Sequence, residues 1–242
     1  MSSDVALVDT WAASGHSAWH RASALSKLAF VAGVLFAVVT GREPLLLGGI
    51  SALLLVCLAS ARIPVGPALL LALYPILFSS LYVLSRWDGT WQTPAVLLLR
   101  ALTGSLAAVL LVATTPYPDL FAPIARVTPR LLGDGLFLTY RAFFGLLHRA
   151  ERTWTALRLR GGLTGRGLPR DLRHVGDGLG QLVLHSYDRS QRLYAVMQIR
   201  GHSGRVCGCR HWAHFTPIDV LPLGLGAAVV ALALALARAG AP

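Results

Sequence analysis

The chain has 242 residues, of which 55% are hydrophobic and 14% charged, with a formal net charge of +11. A soluble domain is roughly 45–50% apolar and roughly 25% charged, so this balance excludes a disordered chain and argues against an ordinary water-soluble globule. A mean hydropathy of +0.59 and a pI near 10.7 describe a chain both oily and basic, and the two properties occupy different stretches.

A membrane helix needs roughly 20 apolar residues, with a range of about 17–25. Five runs qualify: 24–40, 44–60, 64–84, 94–114 and 218–237. The first lacks an Ala-x-Ala cleavage pattern and leads into more apolar sequence, so no cleavable signal peptide is expected. Arg42-Glu43-Pro44 joins the first two runs as a tight turn, which predicts a helical hairpin. The third opens at Pro64 and carries Pro67 and Pro75, which predicts a kink. Arg100 lies about two turns into the fourth, either snorkelling to the near surface or held by a polar partner inside the bundle. Residues 1–114 thus read as a membrane domain of four spans, and 217–242 as a C-terminal transmembrane helix.

Between them, residues 115–216 hold fifteen of the 22 basic residues and six of the 11 acids. The positive-inside rule places this segment in the cytoplasm. The N-terminus then lies on the same side, with Arg21, Lys27 and Arg62, while Arg42, Arg86 and Arg238 lie outside. Trp87 and Trp91 fall in the outer loop as an interfacial aromatic belt. The expected location is the inner (plasma) membrane, crossed several times.

Within 115–216 a short helix is predicted near Asp119–Arg126. A long one follows from Pro129 to Arg160, with Leu136, Tyr140, Phe143, Phe144, Leu147, Trp154 and Leu157 near helical spacing, and it stops at Gly161-Gly162. After a Gly-rich connector, 161–168, a second long helix starts beyond Pro169 and carries Leu172, Val175, Leu179, Leu182, Leu193 and Val196. It stops at Gly201. The fold class is therefore all-α: about five transmembrane helices plus a cytoplasmic module of long amphipathic helices that need a surface to pack on.

The two long helices end alike. A shift of 40 residues sets Arg149 on Arg189, Arg152 on Arg192, Trp154 on Tyr194, Leu159 on Ile199, Arg160 on Arg200 and Gly161 on Gly201. An arginine in a last turn has a plain explanation, since a cation there favours the helix dipole by about 0.3–1 kcal/mol. The alternative is a guanidinium projecting from a rigid tip to bridge carboxylates or helix-end carbonyls of a partner.

Ala156-Leu157-Arg158-Leu159-Arg160-Gly161 and Ala195-Val196-Met197-Gln198-Ile199-Arg200-Gly201 resemble the two arginine motifs of the transmembrane T component of energy-coupling-factor (ECF) ABC transporters, in the cobalt/nickel-type branch called CbiQ. Tyr140-Arg141 and Glu151 fit the approach to the first motif. Asp9, Trp19-His20 and Leu25-Ser26-Lys27-Leu28 resemble the cobalt-type opening, and Pro116 to Pro129 resembles the family's first cytoplasmic helix. Leu159 and Ile199 stand where many members have alanine. The resemblance covers nearly the whole chain and makes the long helices two crossed coupling helices. It implies an energy-coupling subunit, not itself an enzyme, that links two cytoplasmic ABC-type ATPases to a separate substrate-binding membrane protein (the S component). Cobalt is the first expected substrate, nickel the second, and a vitamin is possible. Arg160 and Arg200, with Leu159, Gly161, Ile199 and Gly201, would dock one ATPase each. Phe143, Phe144, Leu147 and Trp154 would face the substrate-binding partner or the crossing helix. The chain would hold no cofactor, ATP and Mg being bound by the ATPases. Consistently, it has no Gly-rich Lys-Ser/Thr phosphate loop.

Other candidates are weaker. Cys57, Cys207 and Cys209 form no disulfide framework. Cys207, Cys209, His211 and His214 could ligate a metal, but Cys-x-Cys is a poor spacing for a zinc knuckle, so no metal site is expected there. His16 and His20 could share a helical face. The rival function is an integral-membrane enzyme such as a metal-dependent transferase, which would need clustered carboxylates; the acids here are scattered. The basic segment alone suggests nucleic acid, but its apolar stripes fit protein contacts better and no nucleic-acid partner is expected.

Overall fold

A computed structural model describes residues 10–15, 17–41, 43–85, 91–162, 167–202 and 215–239. It is helical, with no strand among the described residues. After a helical turn at Ala18–Arg21 come α1 (Ala24–Thr40), α2 (Pro44–Ser60), α3 (Val65–Ser85), α4 (Gln92–Thr114), α5 (Tyr117–Val127), α6 (Arg130–Leu159), α7 (Leu168–Ile199) and, after a 3-10 turn at Pro217–Asp219, α8 (Val220–Ala239). The described residues divide into two compact units. One holds residues up to Pro123 and from Phe215 onward; the other runs from Ile124 to His202.

The first unit is the apolar one. Three of its helical segments are long and apolar enough to cross a membrane: Gly66–Ser85, Gln92–Thr114 and Pro217–Leu236. The other two, α1 and α2, are 17 residues each. At 1.5 Å per residue each covers ~25 Å, short of a hydrocarbon core of ~30 Å. This is an all-α, multi-pass membrane protein.

Helix α4 is central and packs on α1, α2 and α3, while α1 also packs on α8. Phe30, Val34, Leu47, Leu54, Leu58, Leu106 and Leu110 are almost fully buried among them. The α1–α8 contact is close because of two glycines. A Cβ on Gly226 would stand 3.2 Å from the Phe30 Cα, and one on Gly33 would stand 3.1 Å from a Val230 methyl. Small residues at such contacts let membrane helices approach and gain dispersion energy. Pro75 sits inside α3, where it denies the Leu71 carbonyl a helical donor. Leu70, Tyr74, Leu77, Phe78, Leu81 and Leu84 leave that helix exposed and apolar, as a lipid-facing surface requires.

Polar bonds set the helix directions. Asp219, 2% exposed, accepts from the backbone N–H of Ser23 at 2.6 Å, the Ser26 hydroxyl at 2.9 Å and the Thr216 N–H at 2.6 Å. Ser23 is itself the N-cap of α1. This carboxylate therefore ties the start of α8 to the start of α1. Lys27, 3% exposed, donates from Nζ to the Thr114 carbonyl at 3.0 Å and to Thr115 Oγ1 at 3.1 Å, with the Asp119 and Asp219 carboxylates acting on it through space. Trp19 Nε1 donates to Ser60 Oγ at 2.9 Å. The starts of α1 and α8 and the ends of α2 and α4 thus gather at one end of the unit. At the opposite end Arg100 donates to the Gly41 carbonyl at 2.8 Å. It caps the C-terminus of α1, so its polar partner lies at the end of the bundle, where Arg100 both reaches toward the near surface and is held.

In the second unit α6 and α7 pack against each other. Helix α7 begins at Leu168, ahead of Pro169, not after it. Proline is at home in a first turn because the N–H it lacks has no helical acceptor there. The predicted bounds of the other long helix and of the short one hold to within two residues at each end.

Candidate functional site

Both long helices end in the same local geometry. At the end of α6 the Gly162 N–H donates to Leu157 O at 2.9 Å and the Gly161 N–H to Arg158 O at 3.2 Å. At the end of α7 the His202 N–H donates to Met197 O at 3.0 Å and the Gly201 N–H to Gln198 O at 3.0 Å. These are paired Schellman closures, which need a left-handed residue just past the cap. Gly161 and Gly201 supply it, with φ of 72° and 73°. An L-residue there would bring its Cβ too near the next carbonyl. Arg160 and Arg200 are the C-caps, at φ −83°, ψ 3° and φ −82°, ψ 10°. The two guanidinium stems therefore leave the backbone at matched angles.

Each tip is exposed. Arg160 and Arg200 face water, and beside them Leu159 and Ile199 are 83% and 86% exposed. A large aliphatic side chain beside a charged fork is a compact anchor: apolar area to bury and a bidentate donor to orient it.

The helices cross in opposite directions. Arg149 contacts His185, and Arg189 lies where a Cβ on Gly145 would come within 3.3 Å of it. Towards the connector, Cβ positions on Gly178 and Gly162 fall 3.2 Å from Leu157 Cδ1 and 3.6 Å from His174 Cβ. As one helix is followed forwards, the other is met backwards. Arg160 and Arg200 accordingly sit at opposite ends of the antiparallel pair, Arg160 beside the connector and Arg200 at the far end.

Phe143, Leu147 and Trp154 share a face of α6, with Phe144 stacked edge-on to Phe143 and Tyr140 at centroid distances of 5.5 and 5.0 Å. The face meeting α7 holds Gly145, Arg149, Thr153 and Leu157 instead, so the aromatic group is turned away from the crossing helix. Phe143 and Trp154 are 44% and 51% exposed.

The sequence profile of the family described as CbiQ, cobalt transport protein, matches residues 15–208. The chain belongs to the CbiQ family. The matched span of this CbiQ protein includes both arginine tips, the aromatic face and four of the five apolar helices. No curated protein matches the chain.

His185 reports the charge at the crossing. Partial withdrawal from water, together with Arg149, Arg192 and Arg189, holds its imidazole below the usual range, opposed only by Asp188. Among the described residues no three His, Cys, Asp or Glu side chains group as metal ligands. The His16, Cys207, Cys209, His211 and His214 candidates lie outside the described residues, as do Asp9, Trp87 and connector residues 163–166. His20 is described, and its Nδ1 hydrogen-bonds Ser17 Oγ at 2.7 Å. Asp219 is a structural residue that hydropathy conceals. Its mark in the sequence is the Thr216-x-x-Asp219 spacing of a capping box, which the structure forms.

Proposed function

We propose that this CbiQ-family chain is the energy-coupling membrane subunit of an ATP-driven, ECF-type importer, with cobalt its first substrate and nickel its second. Two cytoplasmic ATPases, which bind the ATP and Mg, dock on the α6 and α7 tips through Arg160 and Arg200. Closure of the ATPases moves the crossed helices, and the exposed aromatic face of α6 passes that motion to a separate substrate-binding membrane protein. Five crossings, with α1 and α2 accommodated by local thinning of the bilayer, keep the N-terminus in the cytoplasm of an inner (plasma) membrane. The chain performs no catalysis.

The observation that carries this reading is the pair of matched, exposed Arg-Gly helix ends. One such end is ordinary helix capping. Two with the same cap angles, each flanked by an unburied Leu or Ile and pointing opposite ways from one crossing, are suited to hold two subunits at once.

The test is co-purification of the ATPases with the chain. A charge-assisted hydrogen bond contributes roughly 1.5–3 kcal/mol, so Arg160→Ala with Arg200→Ala should weaken docking by on the order of a hundredfold or more. Each single change should give a partial loss. Lysine should rescue poorly, lacking the planar fork. Arg158→Ala, about 200° around the helix from Arg160, should change little. Full assembly of the double variant would show that the wrong arginines are assigned, and absence of any bound ATPase in wild type would overturn the transporter reading.

A further inference from the structure

The crossing is closed on one side and open on the other. Towards the connector Gly178 admits Leu157 closely. The positions offset from these by 40 residues are Leu138 and Met197, two bulky side chains, and here the helices leave a cleft of 740 Å³. Its walls are apolar, from Leu138, Leu146, Leu193 and Met197. Its polar lining carries three arginines, Arg141, Arg149 and Arg189, and the carboxylate of Asp134, among neutral hydroxyl and imidazole groups such as Ser186, Ser190 and His185.

Arg149 and Arg189 both lie beside His185 along this cleft. The Arg149 guanidinium touches the His185 ring. Gly145 makes room for the Arg189 guanidinium, whose two terminal nitrogens would be 3.3 and 3.4 Å from any Cβ there. Among the described residues neither Arg149 nor Arg189 is bonded to a carboxylate. Both side chains are exposed to water, yet their forks line one cleft and need the oxygens of an anion to be engaged together. The oxygens of a phosphate diester match that need, accepting bidentate bonds from both. A small inorganic anion would satisfy the arginines and leave the leucine and methionine walls facing water, whereas a phosphate carrying an acyl chain uses both.

We propose that the α6–α7 cleft binds an anionic phospholipid, its phosphate between Arg149 and Arg189 and the first part of its acyl chain along Leu138, Leu146, Leu193 and Met197. The site needs only that the chain is a membrane protein, and it stands apart from the arginine tips.

The test is native mass spectrometry of the full-length chain, extracted in detergent and supplied with phosphatidylglycerol or phosphatidylcholine. Wild type should retain phosphatidylglycerol and not phosphatidylcholine. Arg149→Gln with Arg189→Gln should lower retention by about tenfold or more. Arg149→Lys with Arg189→Lys should keep most of it, which separates lost charge from lost fold, as will matching helix content by circular dichroism. Leu138→Asn should weaken phosphatidylglycerol while leaving any binding of inorganic phosphate unchanged. Arg173→Gln, outside the cleft, should have no effect. Undiminished retention by the Gln pair would overturn the proposal. So would displacement of the lipid by equimolar inorganic phosphate, or by an acidic peptide, which would make the cleft an anion or protein site. None of these readouts involves an ATPase, so their failure would leave the docking reading untouched.

Discussion

Arg149 of α6 and Arg189 of α7 each reach the opposing helix four residues before the other: Arg149 meets His185, and Arg189 lies over Gly145. The 40-residue register that pairs Arg160 with Arg200 at the tips therefore also governs the crossing. Reciprocal contacts of this kind are what antiparallel packing gives to residues one helical turn apart, and here they fall on positions that the 40-residue register also relates.

The closures at Gly161 and Gly201 should be sensitive to any side chain. Gly161→Ala or Gly201→Ala forces an L-residue into the left-handed region, at about 1–2 kcal/mol. The amide of Gly162 or His202, which closes that turn, should then exchange roughly tenfold faster, and ATPase docking at that tip should weaken. Gly180→Ala is the contrasting change: the glycine is in mid-helix with open space around its Cβ position, and alanine there should stabilise by about 0.5–1 kcal/mol. Hydrogen exchange on all three variants checks this; unchanged exchange at both tips would mean that the glycines do not hold them.

Asp219 is the polar tie of the membrane unit. Asp219→Ala strands the Ser23 and Thr216 amides and the Ser26 hydroxyl, and leaves Lys27 with one carboxylate fewer. A loss of about 3 kcal/mol or more is expected, lowering the melting temperature in detergent by about 5–10 °C. Asp177→Ala, on an exposed face of α7, should stay within about 0.5 kcal/mol. Equal melting of the two variants would refute the tie.

The helix pair should be acid-sensitive through His185. Its folded imidazole is held below the ordinary value of 6.5 by partial desolvation and by Arg149, Arg192 and Arg189. The neutral ring is thus the favoured form. Its stabilising contribution is complete above the unfolded value and is lost as pH falls through the lowered folded value. An NMR titration should place His185 below 6.5, and Arg149→Gln should raise it. Bound phosphatidylglycerol should move it the same way, by supplying the missing negative charge. A wild-type value at or above 6.5 without lipid would contradict this account.

The membrane orientation is tested by single cysteines. Asp88→Cys and Gly240→Cys should react with an impermeant reagent in intact cells, and Gly165→Cys should be protected. The opposite pattern would invert the topology.

Much of the architecture was legible because its signals are local. The apolar runs 24–40 and 44–60 coincide with α1 and α2, since Ser23 and Pro44 mark the starts and Gly41 the first end. The Arg-Gly ends are visible as letters, and glycine's freedom at positive φ explains them. What the sequence hides is long-range. Lys27 reaches a carbonyl 87 residues away and Asp219 an amide 196 residues away, and no periodicity encodes either. The cleft escapes for the same reason. Leu138 and Met197 look like ordinary members of an apolar stripe, and only the crossing turns their bulk into empty volume.

Two antiparallel helices with the same Arg-Gly closures carry one anchor at each end, although the contacts between them differ, Leu157 packing on Gly178 while Leu138 and Met197 line an open cleft. That arrangement offers one cap geometry twice. Two copies of a single ATPase, related by their own dyad, would meet the Arg160 and Arg200 tips with identical grooves. The sole difference in the anchor itself is Leu159 against Ile199, a rearranged methyl group. A heterodimer could tell its halves apart only by the neighbours of that anchor, Arg158 and Gly162 at one tip against Gln198 and His202 at the other.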